Sequence, residues 1–494
     1  MAGSMIEVAQ TPGQATRSGE SLRSSVRSAI LWRSGSQILA QGVQWTATFL
    51  VIRILSPSDY GLFAMAQVVL TFLNMLNGYG LASGLVRAPQ VGPRKIRQAF
   101  GMLLLLNGTL GLAQLALAPA AAAYYRQPIV ADLLHVQALL YLATPFVALP
   151  QALLSRAMDF RHQAKANITA AILAAASALG GALAGWGVWT LVFAPMVLFA
   201  TRAVMMTRAA GSLVWPSFDF RGAGQLARYG GLMAGAQLFW FVQSQADVFI
   251  AGSRFGAHEL GLYTTALFLA QIVVAKFVPA LNEVAFSAYA RLQNDSAAMA
   301  AAFLKGVRVV MTVTMPLYLG LAVTAEPLVL TALGAKWAGV APIVAVLALA
   351  MPFMTLQTLL NPACDARGRP GIGLANGATG ALILGIAYLV GVRWGPVGLA
   401  AAWVAGYPLY LLVSLLRSLP VIGARLGQVA AAVVQPALAG IAMAVAVLLV
   451  RDRIGGAPPL RLVLLMAVGA MTYLGWLALF ARPLIRELSG TLRR

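Results

Sequence analysis

The chain has 494 residues, of which 60% are hydrophobic and only 10% are charged. Ordinary soluble domains contain about 25% charged residues, so this composition excludes a soluble enzyme, a disordered scaffold and a secreted disulfide framework. The formal net charge of +21 comes from basic residues that lie singly or in small groups between apolar runs. This pattern favours loops that face anionic membrane lipids over a nucleic-acid interface.

The N-terminal segment 1–28 is polar and has no apolar core followed by a cleavage site, which predicts a cytoplasmic tail. A membrane-spanning helix needs about 20 predominantly apolar residues. Fourteen segments meet this requirement: 30–54, 62–86, 99–123, 133–154, 168–186, 188–207, 229–252, 262–288, 303–324, 338–361, 372–392, 396–416, 429–450 and 460–481. We therefore predict an all-α integral membrane protein with about fourteen transmembrane helices. Segment 326–334 is too short to span and is predicted to form a turn of helix.

The distribution of Lys and Arg predicts the orientation of these spans. With both termini cytoplasmic, 26 of the 35 basic residues fall in the tails and inner loops, eight fall in outer loops, and Lys276 lies within a span. If the number of helices were wrong, the alternation of basic inner loops with less basic outer loops would be lost beyond the error. The clearest exception is the last outer loop, which carries Arg451 and Arg453.

A shift of 200 residues aligns two helix–loop–helix units, because 35–37 falls on 235–237 and 55–63 falls on 255–263. Six helices separate the copies, so both have the same orientation, and two parallel bundles around a central cavity are expected. The predicted domains that follow the N-terminal tail are, in chain order, a six-helix bundle at 29–210, an interfacial linker at 211–228, a second six-helix bundle at 229–418, and two additional helices with a cytoplasmic tail at 419–494.

The repeated outer turn has a structural explanation. Ser56 is placed to cap the helix that begins at Pro57, and Asp59 at the third helical position completes a capping box. Segment 256–261 repeats these positions with a glycine as the cap. Gly61 and its counterpart in that segment would allow close helix packing.

Polar side chains at helical spacing occur on the repeated spans, as the lining of a shared polar cavity requires. The residues that we expect to line it are Gln37, Gln41 and Gln44 of the first span, Gln67 and Asn74 of the second, and Gln237 and Ser244 of the seventh. The alternative is hydrogen bonding between helices, which contributes about 0.6 kcal/mol per contact on average.

Lys276 is the most distinctive single residue, because a lysine at the centre of a span costs about 2.5–3.5 kcal/mol on insertion scales. It is either a structural partner of an acid or a binder of an anionic headgroup, together with Arg33 at the inner mouth of the first span. Asp247 and Glu283 are candidates for coupling transport to protons or sodium ions. Three histidines and one cysteine leave little for a metal site, and no phosphate-binding loop predicts a nucleotide cofactor.

Three segments carry a resemblance to a known family. Residues 58–63 (Ser-Asp-Tyr-Gly-Leu-Phe) resemble the loop after the first helix of bacterial oligosaccharide flippases, and 247–252 (Asp-Val-Phe-Ile-Ala-Gly) resemble the corresponding segment of the second half. Residues 366–370 (Ala-Arg-Gly-Arg-Pro) resemble the inner loop after helix 10. The chain is thus similar to the Wzx-type polysaccharide flippases of the multidrug/oligosaccharidyl-lipid/polysaccharide (MOP) exporter superfamily.

The resemblance implies two bundles around a V-shaped cavity that opens alternately to each side of a bacterial inner membrane. The implied substrate is an undecaprenyl-diphosphate-linked oligosaccharide for exopolysaccharide or lipopolysaccharide assembly, and the implied partners are a polysaccharide polymerase and glycosyltransferases. Such a carrier changes no covalent bond and is not an enzyme. Two alternatives stay open: a cation-coupled multidrug exporter of the same superfamily, and a membrane polysaccharide polymerase, against which the short outer loops argue.

Overall fold

The computed structural model describes residues 35–76, 92–219, 239 and 241–482, except the side chains at 76, 276, 277, 280 and 284. In this part of the chain all regular secondary structure is helical. The helices are α1 (35–54), α2 (Pro57–Leu76), α3 (Pro93–Tyr125), α4 (Ile129–Gln137), α5 (Leu139–Ala143), α6 (Pro145–Arg156), α7 (Phe160–Leu183), α8 (Trp189–Ala210), α9 (241–254), α10 (Ala257–Arg291), α11 (Ser296–Val323), α12 (Ala325–Ala332), α13 (Val340–Thr358), α14 (Leu360–Ala366), α15 (Pro370–Gly391), α16 (Gly395–Ile422), α17 (Leu426–Arg451) and α18 (Pro458–Phe480).

Within the described residues, ten helical segments are long and apolar enough to cross a membrane. The prediction of an all-helical, multi-pass membrane protein is therefore confirmed. The number of fourteen spans stays a prediction, because α1, α2 and α9 fall outside this set of ten and α15 and α16 count in it as one segment. The short helix expected near 326–334 is α12.

The chain divides into two compact units, of which the first comprises Met1–Val51, Leu76–Ala118 and Asp132–Met233. In this unit α7 and α8 pack along each other. The turn between them is only five residues long, and Gly185 and Gly187 in it have positive φ angles of 76° and 54°. These angles suit glycine because a Cβ atom would strain the left-handed backbone. The predicted division of two spans at 186–188 is thus confirmed.

The described part of the predicted linker, residues 211–219, has no regular secondary structure and lies against α3 in the first unit. Ser217 N donates a hydrogen bond to the Arg97 carbonyl over 2.9 Å, and Arg97 Nε donates to the Trp215 carbonyl over 3.0 Å. Arg94 pairs with Asp219 at 2.9 Å. Because the Trp215 side chain is exposed, this segment has the aromatic surface that membrane interfaces favour. The interfacial role of the whole linker stays a prediction, since 220–238 lie outside the described residues.

The second unit comprises Ile52–Met75, Pro119–Ala131 and Ala234–Arg494. Its centre is α13, which packs against α10, α11 and α16, while α15 packs along α16. Helices α17 and α18 form a hairpin on α11, where the Tyr473 hydroxyl donates to the Thr312 carbonyl over 2.7 Å. The domain boundaries proposed from the sequence stay a prediction. The division into units assigns 52–75 and 119–131 to the second unit.

Two local predictions concern helix ends in this unit. The capping box is confirmed: Ser56 N donates to the Asp59 carboxylate over 2.9 Å, and Asp59 N donates to Ser56 Oγ over 3.3 Å. The predicted twelfth span, 396–416, lies within α16, which continues to Ile422 and ends at Gly423, whose φ is +88°. Arg417 therefore lies on a helix and not in a loop.

Candidate functional site

A cavity of about 880 Å³ lies within the second unit, between α9, α10 and α13–α16. One end of the second unit carries the loop 366–369, and we call it the Arg367 end. The cavity extends from the middle of α16 to this end. The polar and aromatic side chains that line it are Phe239, Gln243, Ser244, Gln271, Asn282, Gln357, Thr358, Asn361, Asp365, Trp403, Tyr407 and Tyr410. A volume of this size falls in the range of about 300–1,000 Å³ that is usual for small-molecule sites.

One face of α10 forms a wall of the cavity. Gln271, Ala275, Val278 and Asn282 are spaced by four, three and four residues, which places them on one side of the helix. Asn282 Nδ2 donates to the Thr358 carbonyl over 3.2 Å, and its Oδ1 is buried without a hydrogen-bond partner in the described structure. Because a buried unpaired amide oxygen is costly, it is an acceptor available to a ligand hydroxyl.

A chain of amides and a phenol connects four helices across the cavity. Gln243 Nε2 on α9 donates to the Gly377 carbonyl of α15 over 2.5 Å. The Tyr410 hydroxyl of α16 donates to Gln243 Oε1 over 3.4 Å and accepts from Gln357 Nε2 of α13 over 2.7 Å. These bonds fix the orientation of the side chains, so the polar lining is organised before a ligand arrives.

The aromatic residues of the lining follow one face of α16. Trp403 and Tyr407 stack with their ring centroids 5.1 Å apart, and Tyr407 and Tyr410 lie 6.0 Å apart. Aromatic rings present a flat apolar face, and amides and hydroxyls supply hydrogen bonds in the plane of a ligand. This combination suits a ring that is apolar on its faces and carries hydroxyls on its edge.

Asp247 lies beside the cavity and is fully buried. Its carboxylate accepts hydrogen bonds from Val248 N at 2.8 Å and from the Tyr263 hydroxyl at 2.7 Å. Trp403 Nε1 in turn donates to the Tyr263 hydroxyl over 2.9 Å, so a cavity residue is connected to the acid. No Lys, Arg or His of the described residues lies within ion-pairing distance of Asp247. An isolated buried carboxylate is costly unless a proton or a cation neutralises it.

Two charged residues near the cavity were not singled out from the sequence. Asp365 lines the cavity at the Arg367 end, and Arg417 on α16 donates to Asn376 Oδ1 over 3.0 Å and to Thr379 Oγ1 over 3.2 Å. The predicted end of the span at 416 placed Arg417 in a loop and concealed its role. Asp365 immediately precedes the resemblance segment 366–370, and this closeness was the available signal.

The structure places the predicted site residues as follows. Ser244 lines the cavity, Gln37, Gln44 and Glu283 are exposed, and Gln41, Gln67 and Asn74 are half-buried on α1 and α2. The Gln67 Oε1 atom is buried and has no hydrogen-bond partner within the described structure. Lys276 lies on α10, between cavity residues Ala275 and Val278, but its side chain is outside the described residues, as are Arg33 and Gln237.

A family model described as "polysaccharide biosynthesis protein" matches residues 50–342. The succinoglycan biosynthesis transport protein ExoT of Rhizobium meliloti is 26% identical over 327 residues, which cover 66% of this chain and 66% of ExoT. The teichuronic acid biosynthesis protein TuaB of Bacillus subtilis is 23% identical over 477 residues, which cover 92% of this chain and 95% of TuaB. The lipopolysaccharide biosynthesis protein WzxC of Escherichia coli is 21% identical over 330 residues, 66% of this chain and 67% of WzxC.

Among solved structures, the lipid II flippase MurJ in an inward closed conformation matches with a TM-score of 0.74 at 13% identity, and the match covers 92% of this chain and 100% of MurJ. An inward-facing multidrug resistance transporter of the MOP superfamily matches with a TM-score of 0.60 at 15% identity, covering 77% of this chain and 94% of that one. These likenesses show the fold. Since the family model covers more than half of the residues, the chain belongs to the polysaccharide biosynthesis protein family and has the fold of MOP-superfamily membrane transporters.

Proposed function

We propose that the protein carries undecaprenyl-diphosphate-linked oligosaccharides from the cytoplasmic to the outer leaflet of a bacterial inner membrane by alternating access. Both termini are cytoplasmic in this proposal, and the products serve exopolysaccharide or lipopolysaccharide assembly. Glycosyltransferases that build the lipid-linked oligosaccharide and a polymerase that consumes it would be its functional partners. The names of the relatives support this proposal, because they belong to the biosynthesis of succinoglycan, teichuronic acid and lipopolysaccharide.

The observation that carries the proposal is the chemistry of the cavity. Its lining combines amides such as Gln357 and Asn361 with the stacked rings of Trp403 and Tyr407. Sugars offer many hydroxyls to amide donors and acceptors, and their apolar ring faces pack on aromatic side chains. Alternating access then needs only that this polar surface is exposed to each side in turn while the isoprenoid tail stays in the bilayer.

The diphosphate of the substrate needs cations, and Lys276 and Arg33 are the residues that we propose for it. The amides of α1 and α2 (Gln37, Gln41, Gln44, Gln67 and Asn74) and of the seventh predicted span (Gln237 and Ser244) would contact the oligosaccharide in the same transport path. Ser244 supports this assignment because it lines the cavity together with its neighbour Gln243.

Asp247 is the residue that we propose for coupling to a cation gradient. Its carboxylate is fully buried and receives only neutral donors from described residues, from Tyr263 and Val248. A proton or a sodium ion that binds there removes the cost of the buried charge. The link through Tyr263 to Trp403 connects occupancy of this site to the cavity wall. Glu283 is the weaker candidate, since it is exposed on α10.

The test is a vesicle assay in which the purified full-length protein moves a fluorescent undecaprenyl-diphosphate oligosaccharide between leaflets. We expect Asn361→Leu, which removes a cavity amide and keeps the side-chain size, to slow transport at least tenfold. The matched control is Leu389→Ala on α15, whose side chain is 56% exposed on the apolar surface and should leave the rate unchanged. Equal rates for protein-containing and empty vesicles would refute the proposal.

The fold likeness to a multidrug resistance transporter makes drug export the second function to test. The same vesicles, loaded with organic cations instead of the lipid-linked oligosaccharide, distinguish the two. We expect no protein-dependent efflux of the cations, because amides and hydroxyls dominate the polar lining of the cavity and Asp365 is its one acid among the described residues. Efflux of cations without movement of the lipid-linked oligosaccharide would establish drug export instead.

A further inference from the structure

A second cavity, of about 380 Å³, lies at the opposite end of the second unit from the Arg367 end. Its walls are the last turn of α11, the helix α12, the first turns of α13, and the facing ends of α17 and α18. The charged side chains that line it are Glu326, Arg451 and Arg461. None of them lines the cavity of about 880 Å³ described above.

The Arg461 side chain contacts the backbone of Arg451. Arg461 Nη2 donates to the Arg451 carbonyl over 3.1 Å, while Arg461 Nε is buried and has no hydrogen-bond partner within the described structure. Arg451 makes one exposed ion pair, with Asp452 at 3.2 Å, and its side chain keeps 44% of its surface exposed. A buried guanidinium N–H without an acceptor is costly, and a phosphate oxygen is the acceptor that arginine binds best.

Glu326 gives the cavity a negative charge beside these two positive ones. It lies in the first turn of α12 and is exposed, and no cation of the described residues lies within ion-pairing distance of it. Neither Arg451 nor Arg461 neutralises it. The cavity therefore offers guanidinium groups for a phosphate and a separate carboxylate for a cation.

The surroundings of the cavity indicate that its ligand is a membrane lipid. Leu448 on α17 and Leu464 on α18 lie three residues from Arg451 and Arg461, on the same side of their helices, with side chains that are 44% and 41% exposed. On two membrane helices, such side chains face the hydrocarbon and can contact acyl chains. Arg451 also belongs to the loop that departs most clearly from the positive-inside rule, and a bound phosphate would account for this departure.

We propose that this cavity binds the phosphoethanolamine headgroup of a bilayer phospholipid. Arg451 and Arg461 bind the phosphodiester, Arg461 Nε donates to one of its oxygens, and Glu326 accepts from the ammonium group. The acyl chains lie on the apolar surface of α17 and α18. The carboxylate makes the site selective, because a phosphoglycerol headgroup carries no cation to pair with it.

Native mass spectrometry of the full-length protein with phosphatidylethanolamine or phosphatidylglycerol tests this site. We expect phosphatidylethanolamine to bind about tenfold more tightly, which corresponds to one charge-assisted hydrogen bond. Glu326→Gln should abolish the preference, and Arg461→Gln should weaken both lipids. Arg453→Gln, in the same loop but outside the cavity, is the matched control and should change neither.

Three outcomes would overturn the proposal. Equal binding of both lipids to the unchanged protein would remove the role of Glu326. Soluble phosphoethanolamine that binds as tightly as the lipid would show that the acyl chains make no contact. An unchanged lipid affinity in Arg451→Gln, a second variant for the case in which Arg461→Gln does not fold, would show that the arginines do not hold the phosphate.

Discussion

Gly61 of α2 and Gly261 of α10 lie against each other with no room for a side chain on either. A Cβ atom added at Gly61 would fall 1.8 Å from the Ala257 carbonyl oxygen, and one added at Gly261 would fall 1.7 Å from the Pro57 carbonyl oxygen. The two residues are equivalent positions of the sequence repeat. The two copies of the turn therefore pack backbone to backbone in the second unit, as the glycine pattern predicted.

Alanine at either glycine is expected to destabilise the protein by about 1–3 kcal/mol, because the backbone must shift to admit the methyl group. The double variant should lose little more than one single variant, since both changes disrupt one contact. Thermal unfolding of the purified protein measures this. The control is Gly385→Ala on α15, where a Cβ atom meets nothing within 4 Å. Additive losses in the double variant would contradict the shared contact.

Asp247→Asn is expected to make transport independent of the proton and sodium gradients. The asparagine keeps an oxygen that accepts from Val248 N, and its amide can donate to the Tyr263 hydroxyl, so the local structure persists. What disappears is the charge that attracts a cation. Initial rates in vesicles with and without an imposed gradient measure the effect, and Asp365→Asn is the control. Rates that still follow the gradient in Asp247→Asn would exclude this residue from coupling.

Arg367 joins three segments at the Arg367 end of the second unit. Its guanidinium donates to the Val421 carbonyl over 3.1 Å, to the Gln293 carbonyl over 2.6 Å, and to Ser296 Oγ. Arg367→Gln should lower the unfolding free energy by about 1.5–3 kcal/mol, the usual contribution of hydrogen bonds from a charged group. Arg369→Gln is exposed and should change it by less than about 0.5 kcal/mol. Equal unfolding temperatures for the two variants would contradict this.

The fold was largely predictable because its main signal is local. Each apolar run of about 20 residues specifies a helix by itself, and the Ser56–Asp59 capping box is a pattern of four residues. Helix ends were less accurate. The polar Arg417 ended the predicted span, whereas α16 continues to Ile422 and the Arg417 side chain bonds to Asn376 and Thr379, which are 41 and 38 residues away in sequence.

The cavity was predictable only in part, because its lining depends on contacts between distant helices. The polar stripe on the seventh span led to Ser244, but Gln243 points to Gly377 and Tyr410, which are 134 and 167 residues away in sequence. The aromatic face of α16 has ordinary helical spacing and could equally be packing. Trp403 and Asp247 both bond to the Tyr263 hydroxyl, and this connection becomes visible only when the packing of the helices is known.

Lys276→Ala is expected to abolish polymer export while the amount of protein in the membrane is unchanged. The lysine lies on α10 among residues that line the cavity, and a positive charge in a low-dielectric site attracts the substrate diphosphate strongly. Lys276→Arg, which retains the charge, should keep part of the activity. Export at the normal level in Lys276→Ala would remove the residue from the mechanism.

The orientation of the chain can be tested by labelling single cysteines with a membrane-impermeant maleimide. Cys364 is only 1% exposed, and its replacement by serine gives a background without other thiols. With cytoplasmic termini and fourteen spans, cysteines at 58 and 453 should react from outside only, and those at 161 and 369 from inside only. Position 58 precedes most of the spans and position 453 follows all but one. A reversed pattern at all four positions would overturn the orientation. A reversal at 453 alone would instead show that an even number of spans lies between 369 and 453, where three are expected, and would place the lipid site on the cytoplasmic side.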